Sequence, residues 1–280
     1  MHKEIVGCAA SLSENDLTTS QGYQSFRVQR IKQNSTSIIE DNIIEETPIA
    51  LSYNGISHAV MMATPTDIAY LAKGFSLSEG IIPNLSSLYG LEINHYEEGI
   101  EVQMQIATQA FVELKQHKRT MEGRTGCGLC GIENLQQLNR PLRQLAPANP
   151  AWLDTLTTVY HHIKQHQPIT QATGAAHAAA WVVNGEIIAT FEDVGRHNAL
   201  DKLLGYLLTE QRNTAEGFVF MTSRASYELV RKCTQCNIRL LATISAPTTQ
   251  AIKLANESGL TLASFCRENG YVIYAQPQPI

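Results

Sequence analysis

The 280-residue sequence lacks several features that would assign it to a specialised class of protein. No apolar stretch approaches the roughly 18 residues of a membrane-spanning helix, so no membrane crossing is predicted. The start of the chain carries Glu4 and no long apolar segment, so we expect no export signal and a cytoplasmic protein. Basic residues are also scarce, because 21 Lys and Arg against 26 Asp and Glu give a net charge of -5. Non-specific binding to nucleic acid is therefore not expected.

The composition is that of a folded protein with thiol or metal chemistry. Hydrophobic residues make up 44% of the chain and charged residues 17%, as in ordinary globular proteins. The six cysteines stand at positions 8, 127, 130, 233, 236 and 266. In a cytoplasmic chain of this length, metal binding or thiol chemistry is expected of them rather than disulfide bonds.

Patterning divides the chain into a tail and two subdomains. Residues 1–22 are polar and aperiodic, which predicts a flexible tail. Residues 23–140 predict a β-rich N-terminal subdomain of α+β character, followed by a linker of Pro, Ala and Asn at 141–150. Residues 151–280 alternate strand and helix patterns. This alternation predicts an α/β subdomain in which helices flank a mixed sheet.

Individual elements can be predicted from turn and capping residues. A hairpin turn is expected at Asn54–Gly55, a helix capped by Thr66, and a short strand at 111–114. Residues 115–131 combine four basic residues with four glycines, which favours a mobile loop. In the second half, Asn198 is expected to cap a long helix.

The sharpest local motif is the cysteine pair of that predicted loop, Thr125-Gly-Cys-Gly-Leu-Cys-Gly131. A thiolate is reactive only if it is accessible and its pKa is lowered. Glycines on both sides leave Cys127 uncovered, and the nearby cations favour its thiolate. A persulfide on Cys127 is therefore a natural state for this group. The alternative is a surface loop in which Cys127 and Cys130 have no chemical role.

Two other functions of the cysteines stay open at this point. A thioredoxin-like redox pair normally opens a helix in an early βαβ unit, whereas this pair follows an antiparallel region. A zinc site could combine Cys127 and Cys130 with Cys233 and Cys236. The second pair falls within a predicted helix, however, where its spacing also fits packing in the core.

A second group of candidates lies where predicted strands end and helices begin. Ligands of α/β sheets bind at the carboxyl ends of strands, and helix N-termini attract phosphate. These junctions contain Arg196, His197, Ser223, Arg224 and Thr248. They predict a pocket for a phosphorylated ligand, although hydroxyl residues there also serve as helix caps. His177, in an alanine-rich strand, is a weaker candidate, because such a histidine is more often a buried structural residue.

Motifs spread over residues 46–274 resemble those of a known family. They are Met62-Ala-Thr-Pro65, Gly126-Cys-Gly-Leu-Cys-Gly131, Glu192-Asp-Val-Gly-Arg-His-Asn-Ala-Leu-Asp-Lys202, Ser223-Arg224 and Ser245-Ala-Pro-Thr248. With them the sequence resembles the formate dehydrogenase accessory sulfurtransferases, the FdhD family.

The resemblance implies a function for several of these residues. Cys127 would accept sulfur as a persulfide from a cysteine desulfurase, and Cys130 would assist its loading or transfer. The sulfur would pass to the molybdenum cofactor (bis-molybdopterin guanine dinucleotide), a bound substrate rather than a permanent metal, before its insertion into formate dehydrogenase. The guanine nucleotide end of the cofactor would lie partly on Phe265, Cys266, Arg267, Glu268, Asn269 and Gly270.

The resemblance also implies a C-terminal fold similar to cytidine deaminase and a homodimeric assembly. One alternative function is kept, that of a chaperone which binds the cofactor without handling sulfur.

Overall fold

The computed structural model describes residues 3–7, 20–33, 35–119 and 142–277. The strands are β1 (Lys3–Gly7), β2 (Tyr23–Lys32), β3 (Ser35–Ile44), β4 (Thr47–Tyr53), β5 (Ile56–Ala63), β6 (Leu88–Tyr96), β7 (Gly99–Ile106), β8 (His177–Val183), β9 (Glu186–Asp193), β10 (Gly217–Met221), β11 (Leu240–Thr243), β12 (Thr261–Arg267) and β13 (Gly270–Ala275). The α-helices are α1 (Ile68–Ser78), α2 (Thr108–Arg119), α3 (Leu156–Ile163), α4 (Pro168–Thr173), α5 (Arg196–Thr209), α6 (Tyr227–Gln235) and α7 (Thr249–Ser258). Within these residues no helix is both long and apolar enough to span a membrane.

The N-terminal sheet has five strands in the order β1-β6-β7-β4-β5. Strands β4 and β5 form the predicted hairpin around Asn54–Gly55, where both residues have positive φ. Alternate side chains of the sheet, Leu51 and Val102 among them, pack with α1 in one hydrophobic core. Lys3–Gly7 pairs with β6, so this part of the predicted tail is a strand.

A ribbon of two ten-residue strands, β2 and β3, stands beside this sheet. The strands pair from Tyr23 opposite Ile44 to Lys32 opposite Ser35. Most of its side chains are exposed, including Phe26 at 50%. The base of the ribbon packs on α4. An isolated hairpin is at best marginally stable in water, so the packing at the base holds the ribbon in place.

The C-terminal sheet has six strands in the order β13-β12-β11-β10-β8-β9. Its central strand β10 is buried on both faces, with Val219 and Met221 facing α5, α6 and α7. Phe218 and Phe220 face α3 on the opposite side. This mixed sheet with helices on both faces confirms the predicted α/β class. The likeness to cytidine deaminase stays a prediction.

Helices α1 and α5 join the two sheets by crossing backbone to backbone. A Cβ atom added to Gly74 of α1 would overlap the carbonyl oxygen of Asp201, and one added to Gly205 of α5 would overlap that of Tyr70. Only glycine leaves room for such a close approach. The contact therefore depends on one glycine from each helix.

Buried charges strengthen the same junction. Lys232 of α6 lies 3.0 Å from a carboxylate oxygen of Asp201 on α5 and 2.7 Å from Glu79, just after α1. Ser78 donates a hydrogen bond to Asp201 at 2.7 Å. Proximity to Asp201 and Glu79 holds the pKa of Lys232 above its ordinary value although burial opposes this, so the ammonium stays charged. The N-terminal and C-terminal parts of the chain are thus linked by packing and by ion pairs.

Several element predictions were wrong in detail. Residues 111–114, predicted as a strand, lie in helix α2, because Ala110, Phe111 and Leu114 recur with helical spacing and pack on the N-terminal core. Helix α2 also contains residues 115–119 of the predicted loop, and the rest of that loop lies outside the described residues. Helix α1 begins after Asp67 rather than Thr66.

We predict that Gly205→Ala lowers the free energy of unfolding by about 1–3 kcal/mol, because the new methyl group forces α1 away from α5. Chemical denaturation followed by circular dichroism measures this. Gly90→Ala is the matched control, since the atoms nearest to a Cβ there belong to Gln105 and lie at ordinary contact distances of 3.6 Å and more. Equal stability of the two variants would contradict the proposed close crossing.

Candidate functional site

Four strands of the C-terminal sheet, β9 to β12, run in the same direction and end at one edge. We call this the carboxyl edge; its members are residues 193–198, 222–226, 244–249 and 265–270, together with His177 at the start of β8. Helices α5, α6 and α7 begin there with Arg196, Tyr227 and Thr249. The structure thus brings the three predicted junctions together, with the N–H groups of three helix starts at one edge.

Two of these junctions are tied to each other through their backbones. The N–H of Ala225 donates to the carbonyl of Ala246 at 3.3 Å, and that of Thr248 donates to the carbonyl of Ala225 at 2.9 Å. The Thr248 hydroxyl accepts from the N–H of Ala251 at 3.2 Å, so it caps α7. Ser223 is buried, and its hydroxyl donates to the carbonyl of Arg224. The loops that would surround a ligand are therefore held in a fixed arrangement.

Two arginines of the carboxyl edge have no carboxylate partner within the part of the chain that the structure describes. Neither Arg196 nor Arg224 forms an ion pair with a carboxylate of the described residues. Arg224 is exposed, whereas Arg196 is partly buried. The buried Nε of Arg196 finds no hydrogen-bond acceptor among the described residues. A buried hydrogen-bond donor without an acceptor costs free energy, and an anionic ligand would supply the missing acceptor.

His197 differs from the two arginines because it already has an acidic partner. Its Nε2 lies 2.8 Å from a carboxylate oxygen of Glu228 on α6 and 3.4 Å from the hydroxyl of Ser226. The hydrogen bond from His197 holds the pKa of Glu228 below its ordinary value, although burial acts in the opposite direction. This pair fixes the imidazole across the α5–α6 junction.

Asp193 fixes the position of the whole α5 junction. One of its oxygens accepts from the N–H of Gly195 at 2.8 Å and from the side chain of Asn198 at 3.0 Å. The other lies 2.7 Å from Lys202 and accepts from the N–H of Thr64 at 3.0 Å. Both charged side chains are completely buried. The helix start that carries Arg196 and His197 is thus held to the N-terminal part of the chain.

Asn198 is not the helix cap predicted from the sequence. Helix α5 begins at Arg196 with Gly195 in the capping position. The Asn198 amide instead donates to Asp193 and to the carbonyl of Met62 in β5. It serves as a further link between the two sheets.

The segment Phe265–Gly270 occupies the far end of the carboxyl edge. Arg267 donates from Nε to the carbonyl of Ile244 at 3.0 Å, and its guanidinium lies 5.5 Å from the ring centre of Phe265. Glu268 and Asn269 are exposed at the turn before Gly270. Cys266 points into the core, where burial raises the pKa of its thiol to about 12. Only the backbone of Cys266 is thus placed to meet a ligand.

The cysteines fall into two groups. Cys127 and Cys130, the predicted sulfur carrier and its assistant, lie outside the described residues, as does Cys8. Cys233 and Cys236 pack in the C-terminal core, as the packing interpretation predicts. Burial raises the pKa of Cys236 to about 12 and that of Cys233 well above its ordinary value. The described residues contain no cluster of His, Cys, Asp or Glu suited to a metal ion.

Two residues of the site were missed or underestimated from the sequence. Glu228 stands in the first turn of α6, where an acidic residue is favourable for the helix dipole alone. Its contact with His197 depends on how α5 and α6 pack. Asp193 accepts hydrogen bonds from Gly195 and Asn198 at the start of α5. Its buried partner Lys202 and its bond to Thr64 could not be predicted from spacing.

Comparison with known proteins gives consistent matches over most of the chain. The model of the FdhD/NarQ family matches residues 44–280. The sequence is 54% identical over 259 residues to the sulfur carrier protein FdhD of Acinetobacter baylyi, covering 92% of this chain and 95% of that protein. It is 50% identical over 268 residues to the sulfur carrier protein FdhD of Chromobacterium violaceum, covering 94% and 99% of the two chains.

The fold also has a counterpart among solved structures. The crystal structure of a formate dehydrogenase accessory protein from Desulfotalea psychrophila superposes with a TM-score of 0.72. The match covers 92% of this chain and 99% of that one at 20% sequence identity. The arrangement of sheets and helices is therefore shared.

We predict that Asp193→Asn lowers the free energy of unfolding by about 3–5 kcal/mol, because the buried ammonium of Lys202 loses its counter-charge. Thermal and chemical denaturation measure the loss. The double variant Asp193→Asn/Lys202→Met removes the unpaired charge and should recover part of the stability. No recovery would show that the loss arises from the hydrogen bonds of Asp193 rather than from the ion pair.

Proposed function

Because the chain belongs to the FdhD/NarQ family, we propose that it is a sulfur carrier that serves formate dehydrogenase. Its relatives at 46–54% identity are named sulfur carrier proteins, and the chain covers 89–99% of their lengths. The structural neighbour is described as a formate dehydrogenase accessory protein. In the proposed reaction, a cysteine desulfurase supplies sulfur and the molybdenum cofactor receives it.

The sulfur is carried on Cys127. In the loading step the Cys127 thiolate attacks the outer sulfur of the desulfurase persulfide, a new S–S bond forms, and the desulfurase cysteine leaves as its thiolate. Release of the outer sulfur as sulfide consumes two electrons. The Cys130 thiolate supplies them by attacking the inner sulfur, which is the Sγ atom of Cys127, and a disulfide between Cys127 and Cys130 forms as sulfide leaves. A cellular thiol then reduces this disulfide. The buried thiols of Cys233, Cys236 and Cys266 are poorly suited to this chemistry because burial raises their pKa values.

The carboxyl edge is the proposed binding site for the nucleotide part of the cofactor. The observation that carries this proposal is the convergence of three helix starts with Arg196 and Arg224, neither of which has a carboxylate partner among the described residues. Neighbouring strands lie about 4.8 Å apart, so the edge from β9 to β12 extends over roughly 19 Å. This length exceeds what a single phosphate needs and suits an extended ligand with two pyrophosphates, one in each of its two guanine dinucleotides.

The assembly and the compartment are part of the same proposal. The protein works in the cytoplasm as a homodimer, with a cysteine desulfurase and formate dehydrogenase as partners. The alternative of a cofactor-binding chaperone uses the same carboxyl edge and differs in that Cys127 carries no sulfur. The two functions can be distinguished by the mass of the protein after incubation with a cysteine desulfurase, since only a sulfur carrier gains a sulfur atom.

We predict that the protein gains the mass of one sulfur atom after incubation with a cysteine desulfurase and cysteine, and that Cys127→Ala abolishes the gain. Intact-protein mass spectrometry measures it. Cys130→Ala should still be loaded, because the first step needs only one thiolate. Cys236→Ala and Cys266→Ala are matched controls that remove a buried thiol and should be loaded like the wild type. If the wild type gains no sulfur where a known acceptor is loaded, the sulfur-carrier function is excluded and the cofactor-binding chaperone is the function that is left to test.

We predict that Arg224→Ala weakens the binding of GDP roughly 10- to 100-fold, because a hydrogen bond to a charged group contributes about 1.5–3 kcal/mol. Isothermal titration calorimetry measures the affinity. Arg212→Ala removes the same charge from an exposed position beyond the opposite end of α5 and should change the affinity less than about twofold. Equal affinities of the two variants would place the nucleotide elsewhere.

A further inference from the structure

His177 lies between two of the junctions that form the carboxyl edge. His177 is the first residue of β8 and stands opposite Asp193 in the β8–β9 pairing. Asp193 in turn precedes Gly195 by two residues and Arg196 by three. The next residue, Ala178, exchanges two hydrogen bonds with Thr222, at 2.8 and 3.0 Å. His177 is thus fixed beside both arginine-bearing loops.

The side chain of His177 is partly buried, and no hydrogen bond joins it to any described residue. The charged and titratable groups that act on the pKa of His177 come from three neighbouring segments. They are Asp193 from β9, Arg196 and His197 from α5, and Arg224 from the loop before α6. A structural histidine in the interior is normally held by hydrogen bonds. An imidazole that lies beside two arginine-bearing loops, with no hydrogen bond to any residue of the described chain, is instead available to a ligand.

We propose that His177 is a ligand-binding residue of the carboxyl edge that contacts a phosphate of the bound nucleotide and takes up a proton when the ligand binds. This inference rests on the proposed function, since it assumes that a pyrophosphate occupies the edge. It assigns to His177 a contribution distinct from those of Arg196 and Arg224. The arginines carry a constant charge, whereas His177 adds a charge only when the phosphate is present.

The charges around His177 explain why proton uptake accompanies binding. Burial, followed by the nearby Arg196, lowers the pKa of His177 below its ordinary value, with Asp193 acting in the opposite direction and His197 and Arg224 lowering it further. The free protein therefore holds His177 neutral near pH 7. A phosphate placed beside the ring favours the charged form and raises this pKa. Between the two pKa values, binding takes up a proton, so affinity rises as the pH falls.

His197, also an imidazole at the edge, differs from His177 because its ring already has an acidic partner. It already donates to the carboxylate of Glu228 at 2.8 Å, so an incoming phosphate changes its surroundings less. Substitutions of the two histidines therefore serve as controls for each other. Each can be replaced by glutamine, which keeps a hydrogen-bonding group and cannot take up a proton.

The test is calorimetric titration with the β-methyl ester of GDP, whose phosphates have no group that titrates near neutral pH. Titrations at pH 6, 7 and 8, in buffers of different ionisation enthalpy, give the affinity and the number of protons taken up. The wild type should take up a proton, and its affinity should rise several-fold from pH 8 to pH 6, by at most about tenfold per pH unit. His177→Gln and His177→Asn should lose both effects, while His197→Gln should keep them. Melting curves without ligand confirm that each variant is folded.

The outcomes separate this inference from the proposed function. Binding by the wild type with no proton uptake, or uptake that survives in folded His177→Gln, overturns the assignment to His177 and leaves the nucleotide site intact. Uptake that disappears in His197→Gln instead transfers the titration to His197 and also overturns it. A wild-type protein that does not bind the ester or GDP at any of these pH values overturns the nucleotide site, and the inference about His177 with it.

Discussion

The buried ion pair between Asp193 and Lys202 is the interaction on which the candidate site depends. Two opposite charges without solvent contact are stable only if their remaining hydrogen-bonding capacity is used. The ammonium of Lys202 therefore also donates to the carbonyls of Thr64 and Glu192 and to the hydroxyl of Thr66. Because Thr64 follows β5 and Glu192 lies in β9, the pair joins both sheets. The start of α5 is positioned by this network rather than by its own loop.

The network also explains how a cationic edge persists on a protein of net negative charge. Asp193, the acidic residue nearest to the start of α5, is fully engaged by Lys202 and by backbone N–H groups. It is thus unavailable to neutralise Arg196. Glu228 is likewise committed to His197. The two arginines are left to an outside anion, which is the electrostatic condition for binding a phosphorylated ligand.

Several elements of the C-terminal half could be predicted because they have local signals. Ser226 and Thr248 cap α6 and α7, Asn184–Gly185 turns between β8 and β9, and β10 is an uninterrupted apolar run. The prediction of a strand at residues 111–114 was wrong because four residues do not distinguish a strand from one turn of a helix. The surrounding chain continues the helical spacing, and packing on the N-terminal core selected the helix.

The sequence by itself determined the α/β class, the three junctions of the carboxyl edge and the family, because these depend on local patterns and on motifs in order. Only the tertiary structure decided which charges of the edge are free. Lys202 pairs with Asp193 nine residues away, and Glu228 reaches His197 from another helix. Such pairings depend on how α1, α5 and α6 pack, and that packing is set by glycine contacts and buried charges between distant segments. Spacing along the chain does not predict which distant segments pack together. The position of His177 beside two arginine-bearing loops therefore became known only from the fold.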